Sequence, residues 1–399
     1  MSKSETLSPL LEPLAPSRPS APSLPVSSPR NGRPARVLAL DGLRLTAALM
    51  VVMYHFVNRD GAWAAEPGEL FPYLSALTAY GWLGVQLFFL ISGFVICLSC
   101  WGRSLGDFFT SRVVRLFPAY WCAMAVTATV LLLTTGRRAL PPWSDVFANV
   151  TMLQQPLGAQ HIDGVYWSLF AELRFYVLFA ALAWWGLTYR RVLGFCWVWV
   201  VASMLLAPAD AGPARMLVMP EHSWYFIAGI AFYLIHRFGP NLLLVGLVVV
   251  CFCACLPGLH DAWANTPDFT GQAVPFWPVA VILAGGFGAM TLVATGRLTW
   301  IQWRWLPYAG ALTYPLYLLH QNIGRRIIRL LEPHLTPYAV LTLAVLTLLT
   351  ASWLVHLLVE KPVGRRLKHG MTKAASQVRA CDRAPLPAPA QPYARPHDE

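Results

Sequence analysis

Long apolar stretches, each closed by a short polar or basic break, occupy most of this chain. Ten can be drawn, near residues 38–57, 78–101, 113–135, 164–187, 192–207, 217–236, 241–256, 276–296, 305–323 and 338–359. At 1.5 Å per residue, roughly 20 mainly apolar residues cross the hydrocarbon core of a bilayer. The stretches are of about that size, the fifth and seventh being the shortest. The pattern predicts an all-α polytopic integral membrane protein, a bundle of about ten transmembrane helices. No internal repeat is visible, so the sequence does not suggest an inverted-repeat transporter.

The ends read differently. Residues 1–36 hold eight prolines and eight serines with scattered arginines. Such a segment cannot bury enough apolar surface to fold, and it is expected to be a disordered tail. It has no apolar signal-peptide core, so the first apolar stretch is expected to stay as an anchor. The chain from about 370 onward, with Pro385, Pro387, Pro389, Pro392 and Pro396, reads as a second tail. The expected division is a tail over 1–36, a membrane domain over 37–362 and a basic, Pro-rich tail over 363–399.

Composition agrees with the pattern. The chain is 12% charged and 56% hydrophobic with a mean hydropathy of +0.51, whereas a soluble domain is typically about 25% charged. The net charge of +11 does not form a basic face with interleaved aromatics, so no nucleic-acid partner is expected. The basic residues cluster at segment ends. With both tails in the cytoplasm, the inner segments carry 21 Lys and Arg and the outer segments seven, as the positive-inside rule requires. Arg325, Arg326 and Arg329 run against that rule. Of eight cysteines, seven lie in apolar segments. Cys97 and Cys100 form a lone C-x-x-C among apolar neighbours, which reads as packing rather than as a metal or redox site.

Ionisable groups inside a membrane are costly and mark functional positions. The first stretch has three, Asp41, Arg44 and His55. Asp41 and Arg44 are i,i+3 neighbours and can pair. Arg44 and His55 are eleven residues apart, which places both on one helix face about 16 Å apart along the axis. A second reading makes Asp41 and Arg44 a snorkelling pair at the inner boundary, with His55 at the outer headgroups. The fourth stretch carries Glu172 within Trp167-Ser168-Leu169-Phe170-Ala171-Glu172, at an estimated depth close to that of His55. The ninth carries Tyr314, Tyr317 and His320 at every third position, and His222 opens the sixth. Aromatic-belt residues are the alternative for these last four.

Six ordered segments resemble the membrane-bound acyltransferase-3 family. They are Leu40-Asp41-Gly42-Leu43-Arg44 with Tyr54-His55, preceded by Arg36; Gly84-Val85 through Phe88-Phe89 to Ile91-Ser92-Gly93-Phe94; Arg112-x-x-Arg115-x-x-Pro118-x-Tyr120-Trp121; Trp167-Ser168-Leu169-x-x-Glu172-x-x-Phe175-Tyr176; Tyr317-Leu318-x-His320; and Val359-Glu360-Lys361-Pro362. They cover nearly the whole membrane domain. The chain departs from the family at Leu45, where a glycine is frequent, and at Leu173, where many members carry a second glutamate. About 37 residues follow Pro362, too few for the esterase-like domain some members add.

The resemblance implies a ten-helix core in a bacterial cytoplasmic membrane. It implies acyl-CoA, usually acetyl-CoA, as co-substrate rather than a permanently bound cofactor, and no metal. The acceptor would be a hydroxyl of a glycan or other compound, lipid-linked in some cases. A thioester already carries an activated acyl group, so the protein need supply only a base for the hydroxyl and donors for the developing charge. His55 suits the first task, with Glu172 orienting it or acting as a second polar group. Arg44, Arg112 and Arg115 would bind the CoA phosphates or serve as inner-boundary charge, with Asp41 in the donor site or as the structural partner of Arg44. Trp167, Tyr176, His222, Tyr314, Tyr317 and His320 are candidate acceptor contacts. Ser168 has no visible triad and is not assigned as a nucleophile. The competing class is a transporter of a sugar or small metabolite, which shares many helices and intramembrane charges. A reporter fused after residue 370 is expected to read cytoplasmic; a periplasmic signal would require an odd number of spans.

Overall fold

The computed structural model describes residues 37–58, 62–208, 212–271 and 273–383. The expected tail over 1–36 lies outside the described residues, as does the Pro-rich end beyond 383. Each of the ten apolar stretches is occupied by a helix: α1 (Leu38–Met53), α2 (Leu83–Cys100), α3 (Leu105–Thr135), α4 (Trp167–Trp184), α5 (Tyr189–Leu206), α6 (Ser223–Phe238), α7 (Leu242–Ala264), α8 (Trp277–Ala294), α9 (Leu306–Leu331) and α10 (Pro337–Val355). A further long helix, α11, follows over Lys361–Arg383. The described residues contain no strand.

Among the described residues, eight helical segments are long and apolar enough to cross a membrane. The other two of the ten helices, α6 and α9, have distinct reasons for failing that measure. Helix α6 has 16 residues, and every one from Ser223 to Ile235 is buried. A helix apolar on all sides belongs in the middle of a bundle, and α6 packs against α2, α5, α7 and α8. Helix α9 is long, at 26 residues, but polar on one side, where Tyr314, Tyr317, His320 and Gln321 fall. That polar side is the one the site uses.

Local chemistry sets the ends. Ser104 caps α3, its hydroxyl accepting from the Asp107 N–H at 3.1 Å and donating to the Asp107 carboxylate at 2.7 Å, a reciprocal cap of the type that fixes helix starts. Helix α3 therefore begins about two turns before the apolar stretch. The tail reading also needs correction. Helix α11 continues to Arg383, past residue 370, because no proline falls between Pro362 and Pro385 and nothing else in that interval breaks a helix.

Two helices are interrupted by a wider turn. Tyr54–Asn58 and His356–Glu360 are π-helical, a geometry that collects at functional positions. The first continues α1 and carries His55.

The bundle is drawn together by small residues. A Cβ on Gly229 would run into the Leu90 carbonyl and come within 2.9 Å of the Gly93 Cα, and one on Gly93 would run into the Phe226 carbonyl. Helices α2 and α6 thus touch backbone to backbone, the close approach that small residues permit in membrane bundles. Gly229→Val must part these helices, at an overpacking cost of about 1–3 kcal/mol. The expected result is a lower unfolding temperature in detergent, while Gly246→Ala, with open space around it, should leave that temperature unchanged or raised. Equal midpoints for Gly229→Val and wild type would disprove the close contact.

Candidate active site

Five helices, α1, α2, α3, α4 and α9, enclose a cavity of about 720 Å³ including its open mouth. One end is cationic. Arg44 of α1 and Arg112 and Arg115 of α3 line it together with the single carboxylate Glu172 of α4. Asp41 stands behind Arg44 at 3.9 Å and is buried; its side chain fills the space left by Gly310 on α9. Counting Asp41, the cations still outnumber the carboxylates. An unbalanced positive charge in a low-dielectric wall favours an anion beside it.

Hydroxyls hold this wall in place. Glu172 Oε1 accepts from Tyr176 at 2.5 Å and from Ser92 at 3.0 Å. The Arg112 guanidinium lies 5.8 Å from the centre of the Tyr176 ring and donates to Ser111 and Ser99 at 3.2 and 3.4 Å. The Tyr314 hydroxyl donates to the Leu116 carbonyl at 3.1 Å.

The other end is neutral. The hydroxyls of Ser168 and Tyr317, both in the cavity wall, are 2.7 Å apart and both reach the Val165 carbonyl, at 3.1 and 3.2 Å. One turn further along α9, the His320 ring lies 5.5 Å from that of Tyr317 and 4.9 Å from that of His55. His320 is fully buried. Its Nε2 is 3.3 Å from His55 Nδ1, and its Nδ1 is 2.7 Å from the Tyr317 carbonyl. The two imidazoles form a pair beyond the Tyr317 end of the cavity.

The structure thus brings Arg44, Arg112, Arg115, Glu172, Tyr176, Tyr314 and Tyr317 to one cavity and pairs His55 with His320. Trp167 and His222 are elsewhere: their tilted rings lie 5.2 Å apart, and the His222 ring is 5.3 Å from that of Phe89, one of the residues that line the cavity. The depth match between Glu172 and His55 is corrected. Glu172 stands with the arginines, and its named bonds go to Ser92 and Tyr176. A depth counted from the start of α4 assumes that this start is exposed. In fact the preceding turn is sunk into the bundle, with Ile162, Asp163, Val165 and Tyr166 all buried. Asp163 accepts from the backbone N–H of Val165 and of Asn322, at 3.3 and 3.2 Å, and Asn322 donates to the Ile162 carbonyl at 3.0 Å.

Three contributors carry no role in the sequence reading. Ser92 is the one hydroxyl in the middle of an apolar run, and that isolation was a usable signal. Asp163 and Asn322 meet only across 159 positions of chain, which no local pattern reveals.

These features define a helical membrane protein with a cationic cavity ending near an imidazole pair. The acyltransferase-3 family model, described as an acyltransferase domain, matches residues 37–357, and the chain belongs to this family of membrane acyltransferases. It is 26% identical over 391 aligned positions to acyltransferase MdmB of Streptomyces mycarofaciens, covering 88% of this chain and 98% of that protein. It is 34% identical over 181 positions to protein 2 in the picA locus of Rhizobium radiobacter, covering 38% and 84% respectively. It is 30% identical over 163 positions to nodulation protein 10 of Rhizobium leguminosarum bv. viciae, covering 34% and 41%. No solved structure matches the chain.

The sunk turn has a measurable signature. Burial raises the Asp163 carboxyl from its ordinary 3.8 to about 6, against the opposing effect of its backbone donors and Arg325. A group raised on folding gives stability that is full below its unfolded pKa and is lost as pH rises through its folded pKa. Between about pH 7 and pH 5 the wild type should therefore gain unfolding temperature relative to Asp163→Asn, which cannot titrate. Parallel profiles for the two proteins would contradict a buried, titrating carboxyl.

Proposed function

We propose that this acyltransferase moves an acyl group, acetyl in the simplest case, from acyl-CoA to a hydroxyl of a glycan or other acceptor, lipid-linked acceptors included. The observation that carries the reading is the polarity of the cavity: arginines at one end, a paired imidazole beyond the other. Guanidinium groups bind phosphate oxygens bidentately, so Arg44, Arg112 and Arg115 suit the phosphates of CoA. The excess positive charge there fits an anionic donor. The thioester would then extend toward Tyr317 and the imidazoles.

His55 is the general base of this scheme. The acceptor oxygen attacks the thioester carbonyl carbon while the hydroxyl proton passes to the ring. The carbon–sulfur bond breaks, the CoA sulfur leaves as thiolate, and the proton returns to it. Acceptor ester and free CoA are the products. Such proton transfer contributes about 10²–10⁴-fold. Glu172 keeps Ser92 and Tyr176 in place and moderates the charge around Arg44 instead of orienting His55. Tyr317 and Ser168 line the passage between the two ends. The likeness to acyltransferase MdmB across nearly all of both chains supports group transfer over transport. The Lys and Arg distribution supports both termini on the cytoplasmic side of the membrane.

The test is initial acyl transfer from labelled acetyl-CoA in membrane vesicles at matched protein levels. His55→Ala and His55→Gln should both be nearly inactive, since a glutamine can hydrogen-bond but cannot take the proton. Retention of more than about a tenth of the rate in His55→Gln would exclude a base worth 10² or more. Arg44→Ala should raise KM for acetyl-CoA more than it changes acceptor dependence, and Arg44→Lys should restore only part of it. An unchanged KM in folded Arg44→Ala protein would remove the donor role.

A further inference from the structure

We propose that His320 is a positioning residue for this reaction: it fixes the proton of His55 on Nδ1 and so leaves the lone pair on Nε2, the atom that must receive the acceptor's proton. The inference rests on the reading of His55 as base, but its geometry is independent of the donor and acceptor.

The argument follows the protons. A backbone carbonyl can only accept, so His320 Nδ1, 2.7 Å from the Tyr317 carbonyl, carries a hydrogen. His320 has no exposed surface and makes no ion pair with a carboxylate among the described residues. A buried cation without a partner is costly, so the ring is neutral and its Nε2 holds a lone pair. That lone pair lies 3.3 Å from His55 Nδ1. The same His55 nitrogen is 2.9 Å from the Val51 carbonyl, another group that can only accept. One nitrogen faces two acceptors and must be the donor. A neutral imidazole has one N–H, so His55 Nε2 is the basic atom.

The reverse assignment, with His320 as base, fails on the same contacts. Both nitrogens of His320 are engaged, one with Tyr317 and the other with His55. The two rings meet edge to face at 75°, which suits an N–H of one pointing at a nitrogen of the other. The arrangement is built locally. His55 lies in the π turn Tyr54–Asn58, whose wider pitch leaves room at the Val51 carbonyl for the ring. His320 is set by the helix that also presents Tyr317 to the cavity. A second group that holds a base in its working tautomer is a general device of acid–base catalysis.

The experiment has two arms on the full chain in bilayers. In the kinetic arm, labelled acetyl-CoA is supplied to vesicles with a panel of hydroxyl acceptors. His320→Ala should lower kcat by about tenfold or more, the order expected for a misplaced base proton, with KM for acetyl-CoA changed little. His320→Asn should recover most of the loss, because an amide offers an N–H to the Tyr317 carbonyl and an oxygen to the His55 N–H. In the spectroscopic arm, protein labelled with ¹⁵N-histidine is examined by solid-state NMR, and the His55 signals are assigned by their loss in His55→Asn. The wild type should show His55 protonated on Nδ1 and bare on Nε2, and His320→Ala should show a mixture of tautomers. Wild-type kcat in His320→Ala would overturn the proposal, as would His320→Asn no better than His320→Ala. A wild-type His55 protonated on Nε2 would overturn it even if the variants fail to fold. Failure of the base reading itself appears separately, as activity retained in His55→Gln.

Discussion

A charge taken out of water into an apolar bundle costs several kcal/mol unless polar groups meet it there, and the polar contacts of this protein follow from that cost. Asp41 is almost fully buried and has Arg44 at 3.9 Å. Glu172 receives two hydroxyl donors on a single oxygen. Arg112 lies over an aromatic ring and bonds two serines. Each of these partners comes from a residue that has little other reason to be polar at that depth. Ser92 in particular interrupts the apolar run from Leu87 to Leu98. The wall that results stays cationic, and that residual charge is the property that distinguishes this end of the cavity from the other.

Holding such a wall requires helices that do not drift, and bilayer hydrocarbon gives little drive for one apolar helix to seek another. Close backbone approach supplies the missing precision. Gly81 and Gly84 bring α2 against the carbonyls of Met50 and Ala47 on α1, and Gly93 with Gly229 brings α2 against α6. Helix α2 is thereby clamped between the helix that carries Arg44 and His55 and the fully buried α6. Ser92 sits next to one of these contacts, so its bond to Glu172 is fixed by the same packing. The stability of the bundle and the geometry of the carboxylate are the same set of contacts viewed from two sides.

Much of this was legible in the sequence because hydrophobic length and intramembrane charge are one-dimensional signals. The helices appear where the apolar stretches do, and Arg44, Arg112, Arg115 and Glu172 were all singled out before their meeting in one cavity was known. Relative height was less legible. Arg44 and His55 belong to one continuous helical stretch, α1 and its π turn, so their separation can be counted along the chain. Counting along α4 misled, because the height of a helix start depends on the segment before it, and Asp163 and Asn322 sink that segment through contacts distant in sequence. The His55–His320 pair was hidden for a related reason. His320 was recognised as part of a polar stripe on α9, but its partner lies 265 positions away, and the π turn that presents His55 has no simple sequence signature. The helix over 370–383 is hidden by the proline content of the tail taken as a whole, whose prolines all lie beyond 384.

On the proposed reading, the separation of charge from imidazole also explains why the two ends differ in polarity. A base for a hydroxyl must be neutral, and an imidazole close to three guanidinium groups would feel their field in a low-dielectric interior. The direction of that field would favour the neutral ring, but it would equally oppose the imidazolium that forms as the proton arrives. Distance is the remedy, and the 16 Å or so between Arg44 and His55 along α1 provides it. The CoA molecule is built on the same plan, with its phosphates remote from its thiol and an uncharged arm between them. A cavity that is cationic where the phosphates would lie and neutral where the thioester would react is complementary to that donor along its length. The hydroxyl pair of Ser168 and Tyr317 marks the change from one regime to the other. Beyond it, the protein offers its imidazole pair, each ring hydrogen-bonded to a backbone carbonyl, His55 to Val51 and His320 to Tyr317, which polarises the pair toward the reacting oxygen.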